Sequence, residues 1–361
     1  MARRIWFSQW FATAYHYINF IRNNPDGRRF EIFVTHTNPY SATLQAADKA
    51  TLEPKTGEAG FLEFSLNFCR RNKIDIFVPG GWLRSISRNV EEFHKIGTRV
   101  LVCSDSELMN LLSDKDATYK AFKEKSLMPV PDYYIATNLD QFVTAYHKLR
   151  EKGHTVCFKP KVSVGGFGFR VISEKANSLD LLYGAVNEQV CFKQVCQTLS
   201  SKSSFPALVV SEYLSGFEYS IDCLGWNGEL LAAVPRKKVG LARKLENKKE
   251  LIEIAHKVVK EFPLPYIFNV QVKYQKEGSR KAPKLLEVNP RMSGGLHVSC
   301  LSGINFPYLA VKLLSGEEIE VPTPRLNITV SSLETCVEIG QIEGRNFRYG
   351  SIYEHDKTTN V

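Results

Sequence analysis

The chain has 361 residues, 43% hydrophobic and 24% charged, with 47 Lys plus Arg against 38 Asp plus Glu for a formal charge of +9. These are the proportions of a soluble globular protein long enough for two or three domains, with no repeat, no low-complexity tract and no apolar run that would span a bilayer. The positive surplus suits anionic ligands such as nucleotides, whereas the scatter of the basic residues, apart from Arg236-Lys237-Lys238 and Lys248-Lys249, disfavours a dedicated RNA or DNA surface.

From the N-terminus, Arg4–Phe7, Phe30–Thr35, Asp75–Pro79 and Arg99–Cys103 are short apolar or β-branched runs separated by helix-compatible stretches, which predicts a small parallel sheet. No Gly-x-Gly-x-x-Gly follows the first strand, so a dinucleotide-binding domain is disfavoured. Met1-Ala2-Arg3-Arg4 before Ile5-Trp6-Phe7 imitates a signal peptide, but Gln9, His16 and Asn19 interrupt the apolar stretch and no small-residue cleavage site follows. A cytoplasmic protein is expected. The eight cysteines form no Cys-x-x-Cys pair and read as reduced core thiols.

Beyond Ser106 the pattern changes. Ser106–Leu112 and Ala117–Lys125 read as helices, and Pro129 and Pro131 then break the chain. Strands are expected at Thr155–Pro160 and Phe169–Ile172, helices at Leu139–Lys152 and Leu179–Glu188, and a polar loop at Ser200–Pro206. Further strands are expected at Tyr219–Leu224, Leu230–Val234, Ile267–Tyr274 and Leu285–Val288, with helices at Lys249–Lys260 and Phe306–Leu314.

The segment Leu285-Leu286-Glu287-Val288-Asn289-Pro290-Arg291-Met292-Ser293-Gly294-Gly295 concentrates the most chemistry. In a strand, side chains two apart share a face, so Glu287 and Asn289 converge two oxygen donors of the kind Mg²⁺ takes. Pro290 ends the strand and Arg291 adds a charge able to pair bidentately with a phosphoryl group. Taken alone, the segment reads better as a solvated edge strand entering a glycine turn. Upstream, Lys159 closes the apolar run Val156-Cys157-Phe158, where an uncompensated ammonium is costly and an anionic ligand explains it. The glycines Gly165, Gly166 and Gly168 permit positive φ and close backbone approach to phosphates. The lone His297 beyond the turn is either structural or a general base.

These pieces, in this order, resemble the ATP-grasp superfamily, over roughly two thirds of the chain. Glu-Val-Asn-Pro-Arg is similar to its metal-binding strand, and Phe268-Asn269-Val270-Gln271-Val272 resembles the strand that supplies another metal ligand. Ser211-Glu212-Tyr213-Leu214-Ser215-Gly216-Phe217-Glu218 resembles the hinge strand over adenine and ribose. The resemblance implies phosphate contacts from Lys115, Lys159, the Gly165-Gly166-Gly168 flap and one of Arg236, Lys237 and Lys238, with Lys237 the choice made here. It implies adenine contacts from the backbone around Glu212, Tyr213 and Leu214, and a ribose contact from Glu218. The implied metal shell is Gln271, Glu287 and Asn289, where Gln271 replaces the acid of many relatives, as in the large carbamoyl phosphate synthetase subunit. Arg291 and Lys159 would neutralise the transferring phosphoryl group.

The fold implied is α/β: a pre-ATP-grasp parallel α/β domain over 1–105, then a two-lobed ATP-grasp fold with its N-terminal part at 106–210, including a mobile lid over about 129–210, and its C-terminal part at 211–361. The activity implied is an ATP-dependent ligase, like the single-module relatives of carbamoyl phosphate synthetase. MgATP, with Mn²⁺ as an alternative ion, would bind between lid and last domain and activate a carboxylate as an acyl phosphate for attack by an amine. Partners expected are a small-molecule carboxylate and an amine, with a homodimer left open. Two alternatives stand beside it: another ATP-grasp phosphoryl transfer that needs no amine, and a nucleotide-regulated nucleic-acid-binding module.

Overall fold

A computed structural model of the chain describes residues 2–163, 165–174, 188–278, 281–333 and 336–338. The described residues fall into two compact units. One takes in the chain up to Asn110, Tyr219–Val270 and the described residues from Val288 onward; the other takes in Leu111–Glu218 and Gln271–Glu287.

The first unit opens with the expected alternation of strand and helix: β1 (Arg3–Ser8), α1 (Ala14–Arg22), β2 (Phe30–His36), β3 (Lys49–Leu52), α2 (Glu58–Asn72), β4 (Ile76–Pro79), α3 (Leu83–Arg88), α4 (Val90–Lys95) and β5 (Arg99–Val100). The strands form an all-parallel sheet in the order β3-β2-β1-β4-β5. Its central strands carry consecutive buried residues, as strands covered on both faces do, and Ile5, Trp6, Phe7 and Val78 are fully buried. The expected strand at Arg99–Cys103 shrinks to two residues, and β3 went unforeseen because Lys49–Leu52 is half polar. Helix α5 (Ser106–Ser113) follows.

The second unit contains α6 (Lys115–Glu124) and a sheet of β6 (Tyr133–Ala136), β7 (Val156–Pro160), β8 (Arg170–Ile172), β9 (Gln189–Val190) and β10 (Leu208–Glu212), in the order β6-β10-β7-β8-β9. Helix α7 (Leu139–Glu151) lays Phe142, Ala145, Tyr146 and Leu149 on its core, the i, i+3, i+4, i+7 stripe of an amphipathic helix. Asn138 caps it by accepting from the Gln141 N–H at 3.0 Å, an arrangement worth about 1 kcal/mol. A helix α8 (Phe192–Leu199), unforeseen in the sequence, packs on the same core, and the ring of Phe192 stacks on Tyr146 at 4.0 Å. The helix expected over Leu179–Glu188 lies outside the described residues up to 187.

A third sheet has the order β15-β14-β11-β12-β13-β16, built from β11 (Glu218–Trp226), β12 (Glu229–Val239), β13 (Ala242–Leu245), β14 (Tyr266–Lys273), β15 (Lys284–Asn289) and β16 (Ile328–Ser331). Strands β14 and β15 carry residues of both units. Helices α9 (Lys249–Glu261), α10 (Leu296–Cys300) and α11 (Phe306–Leu314) accompany the sheet in sequence. In α11 all residues but Lys312 are buried, and Asn305 caps its start through the Tyr308 N–H at 3.2 Å. The basic run Arg236-Lys237-Lys238, expected after the strand ends, instead lies within β12, which continues five residues past Val234 to Val239. Among the described residues no helix is long and apolar enough to cross a membrane.

Candidate nucleotide and metal site

In the second unit, Asp114 caps α6 by accepting from the N–H groups of Asp116 and Ala117, which sets Lys115 at the first helical position. The loop after β7 is stitched to this helix start. The Lys115 N–H donates to Lys161 O at 3.3 Å, Lys161 Nζ pairs with Asp114 at 2.7 Å, and Lys115 Nζ donates to the Ser163 carbonyl and hydroxyl, both at 3.1 Å. One ammonium thus holds the stem of the glycine loop, and Lys115 is only 5% exposed. Beyond the stem, Gly165, Gly166 and Gly168 all have positive φ, and a Cβ on Gly168 would stand 2.7 Å from Pro160 Cδ, so a side chain fits neither the backbone angle nor the space.

Lys159 lies on β7, half-buried, with Nζ 3.4 Å from the Tyr119 hydroxyl and 5.9 Å from the centre of that ring. Tyr119 is fully buried and donates to Leu286 O on β15 at 2.9 Å, so its oxygen is fixed beneath the lysine. Tyr119 was missed in the sequence, although it sits four residues after Lys115, on the same helix face. Burial and the neighbouring Lys159 ammonium push the Lys115 pKa down to about 8, against the pull of Glu287. Burial also works to lower Lys159, but the Tyr119 oxygen and the Glu287 carboxylate outweigh it and hold that ammonium above its ordinary range. Two lysines, one carboxylate and one phenol are therefore electrostatically coupled within this unit, and the weaker ammonium is Lys115.

The hinge segment follows β10. Its N–H groups are committed at Glu212 to Asp132 O (2.9 Å), at Tyr213 to Thr155 O (2.7 Å), at Ser215 to Gln275 O (3.0 Å) and at Gly216 to Tyr274 O (3.1 Å). The Leu214 N–H has no acceptor among the described residues, the condition needed for an edge-on contact with a base. The Glu212 side chain is turned inward. It is 2% exposed, pairs with Lys284, accepts from the Asp132 N–H at 2.8 Å and lies 3.7 Å from His154 Nδ1. Tyr213 is half-buried beneath the Lys273 ammonium at 5.2 Å, and Glu218 is half-buried at the start of β11.

The expected metal donors lie on neighbouring strands: Gln271 on β14, and Glu287 and Asn289 on β15. Both β15 residues are half-buried while Val288 between them is buried, as alternation requires. Gln271 and Glu287 belong to the second unit and Asn289 to the first, and each carries an oxygen of the hard type that divalent cations take. Arg291 donates to Asn289 Oδ1 at 3.3 Å and to Met292 O at 3.0 Å, and lines a narrow cavity of the first unit with Trp10, Leu83 and Met292.

The first unit holds a second polar cluster that sequence reading did not find. Asp222, fully buried on β11, accepts from Arg236 Nε and Nη2 (3.3 and 3.2 Å), Asn269 Nδ2 (2.7 Å), Ser293 Oγ (2.6 Å) and Ser299 Oγ (2.6 Å). Arg236, 8% exposed, is thus engaged by Asp222, and its guanidinium lies so close under Gly295 that a Cβ there would stand 2.4 Å from Cζ. The glycine turn after β15 is shaped by this buried pair. The available signal was an acid inside the apolar run Tyr219–Leu224, which requires a partner. His297 stacks on His16 at 4.8 Å, and burial together with the His16 and Arg236 charges pushes its pKa down to about 4, leaving a neutral ring.

Residues 204–336 match the family model described as an ATP-grasp in the biosynthetic pathway with Ter operon. No curated protein matches the sequence. Among solved structures, an N5-carboxyaminoimidazole ribonucleotide synthetase in its ADP complex is similar at 12% identity and a TM-score of 0.64, over 91% of this chain and 80% of that one. The biotin carboxylase domain of Hydrogenobacter thermophilus 2-oxoglutarate carboxylase, with MgADP, ADP and bicarbonate, is similar at 15% identity and a TM-score of 0.62, over 91% and 73%. An L-amino acid ligase from Bacillus licheniformis is similar at 11% identity and a TM-score of 0.60, over 86% and 74%. The protein has the ATP-grasp fold, preceded by a parallel α/β domain.

Proposed function

We propose that the protein is an ATP-dependent carboxylate–amine ligase that forms an acyl phosphate and couples it to an amine, with release of ADP and phosphate. The observation that carries this reading is the placing of two lysines inside a single unit, Lys115 held to the stem of a positive-φ glycine loop at Ser163 and Lys159 held to the Tyr119 hydroxyl, both under the influence of the Glu287 carboxylate. A triphosphate supplies the anionic oxygens that such a pair needs. In this reading Lys115 and Lys159 bind phosphate oxygens, and Lys115 exchanges its Ser163 contacts for the nucleotide so that the loop closes over it. The Leu214 N–H meets the adenine edge, with the Glu212 and Tyr213 backbone beside it, and Glu218 takes the ribose hydroxyls. Gln271, Glu287 and Asn289 hold Mg²⁺ or Mn²⁺, which when bound neutralises charge on the phosphates. Arg291 stabilises the transferring phosphoryl group, and because Arg236 is engaged by Asp222, Lys237 is the residue of the basic run assigned to the phosphates.

Chemistry of this kind is positioning and charge neutralisation, and asks for no serine or cysteine nucleophile. The solved relatives named for carboxylation and for amino acid ligation point to a small carboxylate and an amine as substrates. We place the activity in the cytoplasm, where MgATP and free amino acids are available. The test is ADP release by the purified protein with ATP, Mg²⁺ and pairs of amino acids. Lys159→Ala or Glu287→Ala abolishes turnover while the thermal unfolding transition stays cooperative; unchanged turnover in either variant refutes the site. Phosphate release that needs no amine refutes the ligase reading in favour of simpler phosphoryl transfer.

A further inference from the structure

In the five-stranded parallel sheet the strand order reverses between β1 and β4, which opens a crevice at their carboxyl ends where ligands bind in open α/β sheets. Gln9, just after β1, and Trp82, just after β4, both adopt positive φ (51° and 53°), and strain of this kind in non-glycine residues concentrates at ligand sites. Between them Gly80 and Gly81 close the turn: a Cβ on Gly80 would stand 2.5 Å from Ser8 O, and one on Gly81 would stand 2.6 Å from Gln9 Oε1.

Behind this mouth lies Glu53, 5% exposed. Its carboxylate accepts from Thr35 Oγ at 2.7 Å and from the Gln9 amide, and the Thr35 hydroxyl in turn accepts from the buried Trp6 indole N–H at 3.0 Å. All of these donors are neutral. A buried carboxylate with no counter-charge among the described residues is electrostatically incomplete, and burial pushes its pKa up to about 7 against the pull of the two hydrogen bonds. Because the Gln9 Nε2 is given to Glu53, its Oε1 lies against the half-exposed glycine turn as an acceptor. Two residues on, Phe11 packs against Trp10 at 5.3 Å and reaches within 4.0 Å of the Cβ position of Gly294, which joins the crevice to the turn after Arg291 within the same unit.

We propose that this crevice binds the amine substrate as its ammonium ion, with Glu53 as counter-charge and Gln9 Oε1 as hydrogen-bond acceptor. The identification of that cation as a ligase substrate rests on the function proposed above; the cation site itself does not. The test is calorimetric titration of the full chain, without nucleotide, with each of the common L-amino acids, putrescine and spermidine, and with their N-acetylated forms. At least one free amine binds and its N-acetyl form does not. Glu53→Gln weakens that binding at least tenfold, and Gln9→Gly, which relieves the backbone strain while removing the acceptor, weakens it severalfold. Equal binding of acetylated and free amines, equal binding by wild type and both variants, or no binding by any amine overturns the proposal. Amine binding that depends on Glu53 in a protein that makes no amide sustains the site and removes the ligase reading. Amide synthesis with the amine KM unchanged in Glu53→Gln does the reverse.

Discussion

Glu53→Gln also makes a stability prediction that needs no substrate. Burial displaces the Glu53 pKa from 4.5 to about 7, and at about 1.36 kcal/mol per pH unit this corresponds to about 3 kcal/mol against the ionised native form. Because the folded pKa lies above the unfolded one, this contribution to stability is fully present below pH 4.5 and is lost as pH rises through about 7. Between pH 5 and pH 8.5 the wild type therefore loses about 2.5 kcal/mol through this group, and the amide variant loses none of it. Rearranging the Thr35 and Gln9 hydrogen bonds around the amide costs about 1 kcal/mol at every pH and cancels when the two pH values are compared. Urea unfolding of both proteins at pH 5 and pH 8.5 gives the difference of differences, in which all other titrating groups drop out. A value near zero, or a variant that loses its advantage as pH rises, refutes the claim that this carboxylate is buried without a counter-charge.

Gly295→Ala drives a methyl group into the Arg236 guanidinium, which Asp222 holds in place; a loss of about 1–3 kcal/mol in urea unfolding is expected, together with reduced turnover from a displaced glycine turn. Asp222→Ala leaves Arg236 buried without its partner and is expected to cost about 3–5 kcal/mol, while the double change with Arg236→Met recovers part of that loss in the same assay. Nucleotide affinity should fall as pH rises past about 8, where Lys115 gives up its proton. A fluorescent ATP analogue titrated from pH 7 to pH 9.5 measures this, and Lys115→Arg, which stays charged, should flatten the profile.

What the sequence alone determined is everything carried by short-range pattern. The β15 segment, the Lys159 strand, the glycine loop and the alternation of the first hundred residues were legible because strand period, ammoniums in apolar runs and glycine spacing are local properties. Helix α11 matched its expected bounds because an apolar run broken only by Lys312, behind an asparagine cap, leaves little choice. Short elements such as β3 and β9 escaped because two to four half-polar residues have no period of their own and become strands only when a neighbour supplies hydrogen bonds.

Tertiary structure decided which polar side chains are partners. Asp222, Arg236 and Ser293 are separated by up to 71 positions yet share one buried network, so a basic run that reads as a solvated charge cluster sends its first member inward. Tyr119 meets Lys159 across 40 positions, and Glu53 meets Thr35 across 18. Ion pairing and burial depend on distance in space and on the loss of water, and neither is fixed by spacing along the chain until the strands have chosen their order.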